Sequence, residues 1–215
     1  GLAAASVASV GAVLHGVLAF AVLEERLESN PAFGLARPLA LTSRERMFDD
    51  VALRALWRSA AQASEPRNLG DKTGGIHARL EPVTGLAIQL LMLTLSRRSE
   101  VAGARKAEFD LGARLWTIPS ERAKAKHQHI VPFGADAAKV LEAAWAHDPL
   151  SPFVFPSPKV PDQCLDAHAI TRAFARTCTR LGLPRGSPHD VRRSGATTLT
   201  GRYGVTRFLV GLVLG

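Results

Sequence analysis

From Asp49 to Leu214 apolar positions recur with two different periods, and the change of period divides the chain into helices, a small sheet and further helices. Val51, Leu53, Leu56 and Trp57 follow Asp49-Asp50, either of which can cap a helix. Ala63 to Ile76 is crowded with turn formers and reads as a loop. Pro82 to Leu95 is apolar nearly all round, which predicts a buried central helix, with Arg97, Arg98 and Glu100 where the chain leaves the core. The period then shortens. Lys106 to Phe109, Arg114 to Ile118 and His129 to Pro132 alternate like strands, with turns at Asp110 to Gly112 and around Ala123 to His127. Helical spacing returns over Ala135 to Ala146, and Pro149 to Pro161 is a proline-rich loop. Asp166 caps a helix whose Ile170, Phe174, Cys178 and Leu181 form one stripe, ended by Gly182 and Pro184. A helix from Pro188 and a last apolar helix over Thr206 to Leu214 complete the pattern, which has no internal repeats. The fold class is mainly α with a small three-stranded antiparallel sheet (α+β).

The first stretch differs. Leu2 to Leu23 carries no charge and is long enough to span a membrane. Ser6, Ser9, Gly11, His15 and Gly16 interrupt it, many alanines lower its apolarity, and no basic region precedes it as in a signal peptide. We read it as an Ala-rich helix that runs through Glu28 to a breaker at Asn30-Pro31 and packs on helices outside this sequence. Pro31 to Thr42, with Gly34 and Pro38, reads as an interdomain linker, so the division is residues 1–41 and 42–215. The start at Gly1 and the stop in mid-pattern at Gly215 read as those of an excerpt from a longer protein.

A chain of 215 residues with 47% hydrophobic and 21% charged residues has the composition of a soluble globule. Charge changes the picture more. The formal net charge is +8, carried by 21 Arg against 6 Lys, and from Ala167 onward eight arginines face a single acid, Asp190. Such a balance points to a polyanion, nucleic acid first and a membrane surface second. Arg172, Arg176 and Arg180 lie four apart on one helix face, either solvated or a track for phosphates. Cys164 and Cys178 have no metal-ligand spacing and suggest reduced thiols in a cytosolic protein; no metal or cofactor is implied.

The candidate chemistry centres on Ser187-Pro188-His189-Asp190-Val191-Arg192-Arg193. His189 and Arg192, three apart, share a helix face. A guanidinium can hold two phosphoryl oxygens in a fork while an imidazole moves a proton. Pro188 suits a helix N-terminus, whose free N–H groups also favour anions. Two upstream sites join it: Arg97 at the end of the buried helix, and Lys124 in a strand-to-strand turn.

This combination resembles the catalytic domain of tyrosine recombinases, the phage-type integrases. The resemblance is carried by Thr94-Leu95-Ser96-Arg97-Arg98-Ser99-Glu100-Val101, by Trp116-Thr117-Ile118-Pro119-Ser120-Glu121-Arg122-Ala123-Lys124, by His129-Ile130-Val131-Pro132 and by Pro188-His189-Asp190-Val191-Arg192-Arg193-Ser194. Their order and spacing agree with the family from about Arg46 to Gly215, and Val13 to Pro38 looks like the last helix of its core-binding domain plus linker. The resemblance implies that Arg97 and Arg192 clamp the scissile phosphate, Lys124 protonates the leaving 5′ oxygen, His189 assists proton transfer and Glu100 orients the site. A tyrosine would attack to form a 3′-phosphotyrosyl link without ATP or metal.

Arg98 is an alternative to Arg97, and Lys126 to Lys124; His129 reads as a structural strand residue. Arg98, Lys126, Arg172, Arg176, Arg180 and Arg193 are the candidate DNA-binding residues. The family's second His or Trp and its tyrosine belong just after Gly215, and the one tyrosine here, Tyr203, reads as a loop residue, so this excerpt is expected to be inactive. The expected partner is double-stranded DNA, with self-association on DNA in the full-length parent, in the cytoplasm of a bacterium carrying a phage or prophage. Rival readings are a binding-only module derived from a recombinase, a type IB topoisomerase-like enzyme, and a membrane-associated basic protein anchored by Leu2 to Leu23.

Overall fold

The structure, a computed structural model, describes residues 4–34, 47–64, 80–123 and 126–215, with side chains described from residue 7 to residue 63 within the first two of these spans. The chain forms two compact units, Gly1–Glu45 and Arg46–Gly215.

The first unit holds helix α1 (Ala4–Leu23). It is shorter than the helix predicted through Glu28. Glu25 adopts left-handed φ of 56°, and Arg26 N–H returns to Ala21 O at 2.9 Å while Glu25 N–H returns to Val22 O at 3.0 Å. This paired capping closes the last turn before Asn30 is reached. Asn30 still acts as a stop signal: its Nδ2 donates to His15 O at 3.2 Å and its Oδ1 accepts Ala32 N–H at 2.9 Å, folding the chain back along α1. Among the described residues no helix is long and apolar enough to cross a membrane. Most of the linker read at Pro31 to Thr42, and nearly all of the loop read at Ala63 to Ile76, lie outside the described residues.

The second unit is built around α3 (Pro82–Thr94), whose Val83, Leu86, Ala87, Ile88, Leu90 and Leu91 are all buried. Helix α2 (Asp50–Ser64) is capped by Asp49, whose Oδ1 accepts Ala52 N–H at 2.8 Å, and packs through Leu56, Ala60 and Ala63. Val51, placed on its apolar face by pattern alone, is exposed. A one-turn helix not foreseen from the sequence, α4 (Arg98–Ala102), leads toward the sheet.

The sheet has three antiparallel strands in the order β1 (Phe109–Asp110), β2 (Leu115–Ile118) and β3 (His129–Pro132), with Trp116 opposite Phe109 on one side and Val131 on the other. The first strand corrects the reading. Lys106–Glu108 is a 3-10 turn, and pairing begins only at Phe109. The cause is local: Lys106 N–H donates to Pro152 O and Glu108 N–H to Arg105 O, so these amides are withdrawn from the ladder.

Helices α5 (Ala135–His147), α6 (Ala167–Arg180), α7 (Pro188–Gly201) and α8 (Arg207–Leu214) follow. Helix α6 is capped by Asp166, which accepts His168 N–H at 2.9 Å, and buries Ile170, Phe174 and Cys178, whereas Leu181 is exposed beyond its end. Helix α8 buries Val210 alone and leaves Phe208, Leu209 and Leu212 exposed. Mainly helical, with one three-stranded antiparallel sheet, the unit has the architecture expected from the sequence.

Candidate active site

The site begins at the end of α3. Leu95 closes that helix in the left-handed region, φ 53° and ψ 22°, a conformation most residues avoid. There its carbonyl accepts Arg192 Nη1–H at 2.7 Å. The turn needs room on α7: a Cβ on Gly195 would stand 2.5 Å from Leu95 Cδ1. Strain at Leu95 thus coincides with a contact to a predicted site residue, where such strain is commonly found.

Two residues on, Arg97 caps α4. The Glu100 carboxylate accepts Arg97 N–H at 2.7 Å and Arg97 Nη1–H at 2.9 Å. Glu100 is 1% exposed, so a buried acid holds both the backbone and the guanidinium of Arg97. Arg98, the alternative, instead donates to Thr171 Oγ1 on α6 at 2.6 Å.

Helix α7 brings the other half. Ser187 N–H and Oγ–H both donate to Asp190 Oδ2 at 2.8 Å, with Pro188 in the first turn. This is a reciprocal cap of the kind that fixes a helix start. Ser194 Oγ donates to Asp190 O and accepts Phe48 N–H, each at 2.8 Å, which fastens α7 to the first residues of the unit. The Phe48 ring sits edge-on to Phe174 and leaves space only for a glycine at residue 186. On this base His189 is exposed and Arg192 is buried.

The two arginines meet. Arg97 Nη2 and Arg192 Nη2 both donate to Gly215 O, and Arg192 Nη2 also donates to Leu214 O. Burial, and next the neighbouring Arg97 charge, push the Arg192 guanidinium below its ordinary pKa, while Glu100 pulls it back up. The His129 ring lies against Gly215, where a Cβ would stand 3.0 Å from the imidazole.

Lys124 lies outside the described residues, so its place beside these groups is left to the sequence. On either side of the undescribed pair 124–125, Ala123 is buried, and Lys126 is exposed at φ 55° with its N–H on Ala123 O. Tyr203 is exposed beyond the far end of α7, beneath the Arg202 guanidinium at 5.8 Å. At about 1.5 Å per residue, the twelve steps from His189 to Gly201 already span about 18 Å of helix.

Of the predicted DNA-binding arginines, Arg172 pairs with Asp166 at 3.0 Å, Arg180 donates to Ser59 Oγ, and Arg193 is half-buried on α7. Arg172, Arg176 and Arg180 line, with Lys159, one groove of about 800 Å³. Among the described residues no cluster of His, Cys, Asp or Glu could hold a metal ion.

Pattern reading missed Arg122, whose guanidinium takes the Glu108 carboxylate and the Glu100 carbonyl. The only sequence signal was a charge just before Lys124; its partner lies in another element.

An arginine held by a buried glutamate after a central helix, a three-stranded sheet and a histidine-led helix carrying a second arginine define the class of tyrosine-recombinase catalytic domains. The model of the phage integrase family matches residues 75–208, and the chain belongs to that family. It is 36% identical over 120 residues to prophage integrase IntZ of Escherichia coli K12, covering 54% of this chain and 29% of that protein. It is also 36% identical over 88 residues to prophage integrase IntA of the same organism, covering 40% of this chain and 21% of that one. The chain therefore spans less than a third of either relative. Its fold matches a lambda integrase dimer bound to a COC′ core site, with a TM-score of 0.71 at 16% identity, over 99% of this chain and 72% of that one.

Proposed function

We propose that this chain is the phosphate-binding and proton-handling part of a site-specific DNA recombinase, which breaks and rejoins double-stranded DNA through a 3′-phosphotyrosyl intermediate. One observation carries the reading: two guanidinium groups from separate elements are brought side by side, Arg97 held by the buried Glu100 carboxylate and Arg192 by the Leu95 carbonyl two residues before Arg97. Donors already held in place need little reorganisation when charge develops on a phosphoryl oxygen.

In this account Arg97 and Arg192 hold the non-bridging oxygens, and Glu100 orients Arg97. A tyrosine of the full-length protein other than Tyr203 attacks phosphorus; its hydroxyl proton leaves with help from His189, and the P–O5′ bond breaks. Lys124 gives the departing 5′ oxygen its proton. The products are a phosphotyrosyl ester and a free 5′-hydroxyl, and reversal with a second 5′-hydroxyl joins new strands. Arg98, Lys126, Arg172, Arg176, Arg180 and Arg193 supply phosphate contacts that position the duplex. Residues 1–41 act as the end of a core-binding domain with its linker, and the full-length protein self-associates on DNA in the cytoplasm of a host carrying the element. Residues 1–215 alone bind DNA without cutting it, because Tyr203 sits a helix length from His189.

The test is a duplex bearing the junction sequence that flanks the gene, nicked near the scissile phosphate so that the released fragment diffuses away. Full-length protein should become covalently attached to the 3′ end, and residues 1–215 should not. Tight, salt-sensitive binding by the full-length protein without any adduct would favour a binding-only module instead.

A further inference from the structure

Arg122 stands two residues before Lys124, yet its side chain turns inward and is 22% exposed. Its Nε–H donates to Glu108 Oε1 at 2.9 Å and its Nη2–H to Glu108 Oε2 at 2.7 Å, the fork geometry that an ammonium cannot copy. Both terminal nitrogens also reach the Glu100 carbonyl oxygen, each at 3.3 Å. Glu108 is shared further, accepting Trp116 Nε1–H at 3.0 Å from the middle of β2. The approach to α4 is close enough that a Cβ on Gly103 would stand 2.6 Å from Arg122 Nη1.

These contacts link two parts of the site through one residue. The Glu100 carboxylate holds Arg97, while the Glu100 carbonyl holds Arg122. On the other side, Arg122 N–H and Ala123 N–H both donate to Pro119 O at 3.0 Å, and Ala123 is buried. The chain entering the segment with Lys124 is therefore tied to the same short helix that Arg97 caps.

We propose that Arg122 is a positioning residue for the reaction, fixing the chain at Ala123, one residue before Lys124, relative to Arg97 by way of Glu100. The inference rests on the reading of Lys124 as the proton donor to the 5′ oxygen. A proton donor must come within hydrogen-bond reach of its acceptor, and displacement of about 1 Å can slow a step about 100-fold. A merely structural ion pair would instead affect every step alike.

The experiment uses the full-length protein with nicked duplexes whose scissile phosphate carries either the normal 5′ oxygen or a 5′-bridging sulfur, which leaves without needing a proton. Wild type, Arg122→Gln, Arg122→Lys, Glu108→Gln and Lys124→Ala are compared in single-turnover cleavage at saturating protein. Arg122→Gln and Arg122→Lys are expected to be slower on the oxygen substrate by about 10- to 100-fold and to come within about threefold of wild type on the sulfur substrate. Glu108→Gln, which keeps one acceptor for the fork, should fall between. Equal losses on both substrates in the Arg122 variants, while Lys124→Ala is rescued by sulfur, would overturn the inference alone. Failure of sulfur to rescue Lys124→Ala would remove the reading beneath it, and both would fall.

Discussion

Arg192 Nη1 donates to Leu95 O at 2.7 Å, which brings it beside Arg97 two residues on, although Arg97 caps a helix beside the sheet and Arg192 lies on α7. Two cations this close repel, and the buried Glu100 carboxylate is the acid that offsets them. Glu100→Ala should therefore destabilise the unit by about 2–4 kcal/mol, since it strands a partly buried guanidinium and an N–H group together. Urea unfolding measures this; a change below about 0.5 kcal/mol would remove Glu100 from the role of counter-charge.

The start of α7 depends on two contacts to Phe48. Ser194→Ala leaves the Phe48 N–H buried without an acceptor and should destabilise by about 1–3 kcal/mol. Gly186→Ala should cost about 1–3 kcal/mol by forcing a methyl into the Phe48 ring, and much less when Phe48→Leu opens the space. A double-mutant cycle in thermal unfolding reads the coupling, and strict additivity would count against the contact.

Acidification should act through the cap of α6. His168 N–H holds the Asp166 carboxyl below its ordinary pKa of 3.8; burial opposes it, and Arg172 adds to the lowering. A depressed carboxyl pKa adds stability that is present above the unfolded value and is lost as pH falls through the folded one. Wild type should therefore exceed Asp166→Asn in stability at neutral pH, and the gap should close as pH drops below about 4. A gap that persists unchanged to pH 2 would assign the difference to something other than charge.

Salt dependence should separate the arginines on α6. Arg176 is exposed, whereas Arg172 already faces Asp166. Arg176→Ala should lower the slope of log K against log salt for duplex binding by about one, and Arg172→Ala by less. Equal slopes for wild type and Arg176→Ala would take this face out of the DNA contact.

The elements that pattern reading found are those fixed by local chemistry. The stretch from Pro82 to Thr94, apolar nearly all round, reads as a central helix, and Pro188 with Asp190 announces the start of α7. Arg97 with Glu100 was legible from their three-residue spacing, although the one-turn helix that Arg97 caps was not. What escaped depends on partners far along the chain. Glu108 became a 3-10 turn instead of a strand residue where it takes Arg122 and Trp116, and Leu95 takes a left-handed turn that Gly195, on another helix, makes room for. The mistaken end of α1 has a different origin: a glutamate at residue 25 fills a position where glycine is the usual signal.

The central claim is that Arg192 and Arg97 form a fork-shaped cradle for the scissile phosphate. The direct measurement is the rate of covalent adduct formation on a nicked duplex by full-length protein, at saturating concentration, for wild type, Arg192→Lys and Arg97→Lys. Each lysine keeps the charge and loses the planar fork, so the adduct rate should fall by about 100-fold or more while DNA affinity changes by less than about threefold. Wild-type adduct rates in Arg192→Lys would contradict the account.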